Sequence, residues 1–168
     1  NEGAPDDPEL WRALSGLEPG ILRTYPSASN LEARLARLHG CSPEQVLVTA
    51  GADESLDRIC RAYLGPGRRL FLPRPTFEML ERYARLSGGE VVHVSWPFGP
   101  FPTELLLPQL GPGSIVAMVT PNNPTGAVAR PEDLIRLSQS HPEALVLVDH
   151  AYVEYADVDL TAEALRRS

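Results

Sequence analysis

Lysine is absent from this chain of 168 residues; all fifteen of its basic side chains are arginine. No side chain here can therefore hold a carbonyl compound as a Schiff base, the bond through which lysine-dependent enzymes keep such groups. Long hydrophobic runs are absent too. The longest, within residues 114–119 and 144–148, are only a few residues, against the roughly 20 that a membrane helix needs. Cysteine occurs twice, at Cys41 and Cys60, too sparsely for a disulfide framework or a thiolate metal site. Arginine never gathers into a basic run, and the formal net charge is −7. That excludes a nucleic-acid partner gripped by a basic face. Neither a glycine-rich dinucleotide fingerprint nor a P-loop motif is present, which argues against a nucleotide-binding domain. No secretory leader is visible and the chain opens on Asn1. The natural N-terminus is thus expected upstream, and the expected location is cytoplasmic.

What is present is an ordinary globular composition, 43% hydrophobic and 22% charged, sufficient for one buried core and one domain or slightly more. Helical and strand patterns alternate. Asp7-Pro8 opens a helix carrying Leu10, Trp11, Leu14 and Leu17, with Pro8 suited to its first turn. Residues 19–28 read as loop. Ser29 and Glu32 form a capping-box pattern ahead of Leu31, Leu35 and Leu38, and Gly40 closes that helix. Apolar strands are expected at residues 46–49, 69–72, 91–94, 114–119 and 144–148. Helices are expected at 77–86, at 131–137, briefly at 105–110, and after Gly51, where Leu56, Ile59, Cys60 and Tyr63 share a face. On that face Cys60 reads as a buried structural thiol. The alternation predicts an α/β fold, a mostly parallel sheet with helices on both faces.

Thr120-Pro121-Asn122-Asn123-Pro124-Thr125-Gly126 follows one apolar strand, and Asp149-His150-Ala151-Tyr152 follows another. In open parallel sheets, ligands bind beyond the carboxyl ends of the strands, so polar residues there are placed for chemistry. Asp149 closes an apolar run, where a buried carboxylate is costly without a partner; the other reading is a cap for the next segment. Gly51-Ala52-Asp53 lies where a strand turns into a helix, whose free N–H groups and dipole attract an anion. Equally, Gly51 serves the turn and Asp53 the cap. Asn123 is either a ligand contact or a turn former. Phe77 is either a stacking platform or a core ring, and Tyr152 either a ligand contact or a half-buried aromatic. His150 reads as a supporting or surface residue.

Taken in order, Tyr25-Pro26, Gly51-Ala52-Asp53-Glu54, Pro75-Thr76-Phe77, Pro121 to Gly126 and Asp149-His150-Ala151-Tyr152 resemble the histidinol-phosphate aminotransferase family. Its members use pyridoxal 5′-phosphate (PLP) on the aspartate-aminotransferase fold, and the resemblance spans essentially the whole chain. It implies a three-layer αβα architecture, the mostly parallel sheet of the PLP-dependent transferase large domain, incomplete in this chain. Residues 1–28 would be an N-terminal arm and small-domain segment. Residues 29–168 would be a partial PLP-binding large domain, without the Schiff-base lysine region and the C-terminal small domain. Further strands would lie between residues 46–49 and 114–119.

For the site, the resemblance implies Gly51, Ala52 and Asp53 at the cofactor phosphate and Asp149 at the pyridine nitrogen. Asn123 and Tyr152 would meet the phenolate oxygen and Phe77 the ring face, while Tyr25 would reach across a homodimer to the partner's phosphate. Asn1-Glu2-Gly3 is similar to a substrate-contacting Asn-Glu-Asn stretch, which makes Asn1 and Glu2 expected substrate contacts. No catalytic residue and no metal ligand are expected in this chain. The implied reaction passes an amino group from histidinol phosphate, the small-molecule donor, to the 2-oxo acid 2-oxoglutarate in histidine biosynthesis. Two other readings stand beside it: a threonine-phosphate decarboxylase-like PLP enzyme, and a catalytically inactive PLP-fold protein kept as a binding or assembly partner.

Overall fold

The computed structural model describes residues 7–167. They fall into two compact units, within Asn1–Val48 and Thr49–Ser168. The first unit holds helix α1 (Pro8–Ser15), a 3-10 turn at Pro19–Arg23 within the expected loop, and helix α2 (Ser29–His39). α1 starts as its sequence dictates: Asp7 at the N-cap accepts the Glu9 N–H at 2.8 Å, and Pro8, which lacks an N–H, takes the first position. α2 stops at Gly40, whose φ of 68° is left-handed and costs glycine little.

The expected capping box on α2 does not form. Ser29 is itself the first helical residue, behind Ala28 at the N-cap, and the Glu32 carboxylate accepts the Val48 N–H instead, at 3.0 Å. That bond bears on a second correction. Residues 46–49, expected as a strand, join no sheet. An extended segment becomes a strand only when a neighbour takes its backbone donors and acceptors, and here a side chain serves Val48.

The second unit alternates as predicted: helix α3 (Gly51–Tyr63), strand β1 (Arg69–Arg74), helix α4 (Glu78–Leu86), strand β2 (Glu90–Ser95), helix α5 (Thr103–Leu106), strand β3 (Ser114–Val119), helix α6 (Pro131–Ser140), strand β4 (Leu145–Asp149) and helix α7 (Thr161–Leu165). The four strands form one sheet in the order β2-β1-β3-β4, every pair parallel. Side chains alternate between its faces. Leu70, Leu72, Ile115, Ala117, Val119 and Leu147 pack under Leu56 and Cys60 of α3 and Leu80 and Ala84 of α4. Phe71, Val94, Val116 and Met118 pack on the other face against Phe101, Leu106, Leu134, Leu137 and Leu160. The result is three layers, and β3 in the middle is buried along its whole length.

The sheet order corrects the expected placement of further strands. β3 already has β1 on one side and β4 on the other, so nothing can be inserted beside residues 114–119. The edge strand β4 has one open side, although its apolar run Leu145 to Val148 is the composition of a strand covered on both faces.

Cys60 is buried, and burial pushes its thiol up to about 11, with the charge of Asp57 adding to the effect. Because the thiolate is the reactive form, iodoacetamide at pH 8 is expected to label the partly exposed Cys41 and to spare Cys60 until denaturant is added. Peptide mapping of the native-state reaction checks this; equal labelling of both thiols would contradict the packing of α3.

Candidate active site

β1 and β3 are neighbours, but their continuations diverge. From β1 the chain passes through α4 outward to β2; from β3 it passes through α6 outward to β4. α4 lies on the face of Leu70 and Leu72, and α6 on the face of Phe71. The chain therefore parts to opposite faces at the carboxyl ends of β1 and β3, the topological position at which doubly wound sheets form a ligand-binding crevice. The segments at these strand ends carry Thr76 and Phe77, then Asn122 and Asn123, then Asp149 to Tyr152 at the end of β4.

Asp149 ends β4 opposite Val119 and is only 7% exposed. Its Oδ1 accepts the Ala151 N–H at 3.0 Å, and its carbonyl accepts the Thr120 N–H at 2.9 Å. Among the described residues no arginine or histidine forms an ion pair with it. Burial pushes its carboxyl above the ordinary carboxylate range; the Ala151 N–H and His150 pull the other way, and the charge of Asp53 pushes further up. A buried acid in this state gains from any cation brought to it.

His150 turns its Nδ1 to Thr161 Oγ1 at 3.4 Å and Asp159 Oδ1 at 3.6 Å. Its Nε2 is buried without a hydrogen-bond partner among the described residues. Burial lowers its basicity, opposed by the charges of Asp159, Asp149 and Glu154. It serves the link between β4 and α7, in keeping with a supporting role.

At the start of α3, Gly51 takes a φ of 79°, which a residue with a Cβ would adopt only under strain. Ala50 is the N-cap residue, and the Glu54 carboxylate reaches back to its N–H. Asp53 is thus not the cap. Thr49 Oγ1 lies 2.6 Å from Ser55 Oγ and donates to the Gly51 carbonyl at 2.9 Å, bracing the turn. Gly51, Ala52 and Asp53 are all exposed; the Gly51 N–H donates to the Thr49 carbonyl at 2.9 Å, so the N–H groups that this helix start offers to an anion are those of Ala52 and Asp53.

Phe77 stands at the N-cap of α4, half-buried against the core on the α3 face. Asn123 and Tyr152 are both half-exposed, and the Tyr152 ring lies 6.4 Å from that of Tyr155. Tyr25 belongs to the first unit and is fully exposed. Asn1 and Glu2 lie outside the described residues.

Sequence reasoning passes over Asn122. It is 3% exposed and fully hydrogen-bonded. Its Oδ1 accepts from Thr76 Oγ1 at 2.6 Å, and its Nδ2 donates to the Pro75 carbonyl and Thr125 Oγ1, each at 2.8 Å. Thr120, also buried, accepts the Ala129 N–H at 2.9 Å. The one signal in the sequence is a pair of polar residues, Thr120 and Asn122, close behind an apolar strand. Among the described residues, no cluster of side chains could hold a metal ion and no helix is long and apolar enough to cross a membrane.

The sequence profile of the family "Aminotransferase class I and II" matches residues 6–167. A histidinol-phosphate aminotransferase of Methanosarcina barkeri is 37% identical over 164 residues, covering 95% of this chain and 44% of the relative. The chain thus spans less than half the length of that relative. Among solved structures, histidinol-phosphate aminotransferase from Sinorhizobium meliloti in complex with pyridoxal-5′-phosphate superposes with a TM-score of 0.78 at 25% identity, over 89% of this chain and 42% of that one. An L-threonine-O-3-phosphate decarboxylase from Porphyromonas gingivalis shares the fold, with a TM-score of 0.74 at 22% identity over 94% of this chain and 47% of that one.

Proposed function

The chain belongs to the class I and II aminotransferase family, and from that premise we propose that it forms part of a PLP-dependent enzyme. The observation that carries this reading is Asp149, a buried carboxylate raised by desolvation and without a paired cation among the described residues. A protonated pyridine nitrogen is the cation such a group would hold, and an acid at that ring atom keeps the ring protonated. When bound, PLP would supply an electron sink for the carbanion left when a substrate loses its Cα proton. Around Asp149, the turn at Gly51 and the N–H groups of Ala52 and Asp53 would bind the phosphate, Asn123 and Tyr152 would donate to the phenolate oxygen, and Phe77 would cover a ring face.

The lysine that anchors the cofactor and moves the proton has no candidate in this sequence, so we assign it to a part of the enzyme beyond these 168 residues. Residues 1–28 are proposed as an arm and small-domain segment, and 29–168 as part of the PLP-binding large domain. A homodimer, with Tyr25 reaching the partner's phosphate site and Asn1 and Glu2 touching substrate, completes the proposal. The free thiols Cys41 and Cys60 favour a reducing cytoplasm.

For the reaction, we favour amino transfer from histidinol phosphate to 2-oxoglutarate, supported by the histidinol-phosphate aminotransferases at 32–39% identity. The fold is shared with a threonine-phosphate decarboxylase, so one assay separates the two. Full-length protein with PLP, histidinol phosphate and 2-oxoglutarate is expected to form glutamate, whereas threonine phosphate is expected to release no carbon dioxide. The reverse pattern would assign the decarboxylase, and no reaction with either donor would leave the binding-partner reading in its place.

A further inference from the structure

We propose that Asn122 is a positioning residue of this site, a clasp that sets Asn123 and Phe77 at a fixed separation across the crevice. The topology creates the need for one. β1 and β3 send their continuations to opposite faces of the sheet, so no regular backbone pairing joins the segments just beyond their ends. Asn122 joins them by side chain. Its Oδ1 takes the Thr76 hydroxyl and its Nδ2 takes the Pro75 carbonyl, residues 46 and 47 positions away in sequence. The remaining Nδ2 hydrogen goes to Thr125 Oγ1 within its own turn.

That turn is closed by backbone as well. The Asn122 N–H donates to the Ala127 carbonyl at 2.8 Å, and the Asn122 carbonyl accepts the Gly126 N–H at 2.7 Å. Gly126, at φ 69°, permits the tight return. Asn123 is thus presented from a loop pinned immediately before it, and Phe77 from a loop pinned at Thr76. Both amide hydrogens of Asn122 are used in a setting with almost no water access, where an amide is held to one orientation by the cost of leaving any group unpaired. With both amide hydrogens spent within the protein and its side chain buried, Asn122 acts through its neighbours.

The inference rests on the PLP reading above, and Thr76 provides the probe. In full-length protein, Thr76→Val keeps the shape of the side chain but removes the hydroxyl donor and leaves Asn122 Oδ1 unpaired. The dissociation constant for PLP is expected to rise about ten-fold, the scale of one buried acceptor losing its bond, and the visible circular-dichroism band of bound PLP is expected to weaken. Thr76→Ser, which keeps the hydroxyl, is expected to restore both. A double-mutant cycle of Thr76→Val with Asn123→Ala separates positioning from general stability. The two losses should be less than additive in PLP affinity, because a displaced Asn123 has little left to lose, yet additive in the melting temperature of the cofactor-free protein. Wild-type affinity in Thr76→Val, additive losses of affinity, or no recovery in Thr76→Ser would each overturn the proposal while PLP binding by the wild type stands. A wild-type protein that binds no PLP would overturn it together with the PLP reading.

Discussion

Asp149→Asn is expected to make the cofactor-free protein more stable at neutral pH and the full-length enzyme far slower. The two effects have one origin. Burial raises the folded-state pKa of Asp149 above its unfolded value, so the folded state holds this proton more tightly than the unfolded chain does. The stabilising contribution is therefore present below the unfolded pKa and is lost as pH rises through the folded pKa. Above that window the ionised, unpaired carboxylate opposes folding. An amide of the same shape removes that opposition, with a gain on the order of 1 kcal/mol.

In the holoenzyme, on the assignment proposed for Asp149, the same substitution would remove the charge that keeps the pyridine nitrogen protonated. That charge matters most where electrons enter the ring, so turnover is expected to fall by roughly a thousand-fold, the scale of losing one preorganised electrostatic group. PLP affinity is expected to fall much less, because phosphate and phenolate contacts remain. Thermal melts between pH 4 and 8 on the cofactor-free protein, together with kcat and PLP titrations, check both halves. Near-normal turnover, or a less stable cofactor-free variant at pH 7, would refute the assignment of Asp149.

The 168 residues on their own are expected to show no transamination, an all-or-none effect. Fifteen arginines and no lysine leave no side-chain amine to attach PLP or to shuttle a proton at Cα. Borohydride reduction of this polypeptide with PLP, followed by peptide mass mapping, should find no pyridoxyl group on any side chain; an adduct at the terminal amine is ordinary amine chemistry and is mapped separately. Glutamate formation should appear only when a lysine-bearing segment accompanies the chain. A side-chain adduct, or turnover by these residues alone, would falsify the reading.

Much of the second unit is legible in the sequence. Residues 115–119 and 144–148 are apolar at every position, and a strand covered on both faces is what uses such a run; β3 and β4 follow them closely. Cys60, Leu56 and Ile59 announce the buried face of α3, and Pro131 the start of α6. Residues 46–49 look as strand-like as any of these, yet pair with nothing in the sheet. Glu32 offers a second illustration: the spacing from Ser29 fits a capping box, but its carboxylate goes to Val48, sixteen residues away.

For the site, the linear sequence by itself determined which chemical groups end the strands, because in a parallel sheet every carboxyl end points the same way and whatever follows an apolar run arrives at the same rim. Asp149, Asn123 and Tyr152 are readable on that ground, and the absence of lysine from the composition alone. Tertiary structure alone decided the order β2-β1-β3-β4, and hence that β2 and β4 stand at the edges and that the chain parts beyond the carboxyl ends of the paired strands β1 and β3. It alone decided that Asn122 bonds across to Thr76 and Pro75 beyond the end of β1. Strand order and side-chain clasps are hydrogen bonds between partners tens of residues apart, and no local pattern specifies which distant donor will meet which acceptor until the layers have packed.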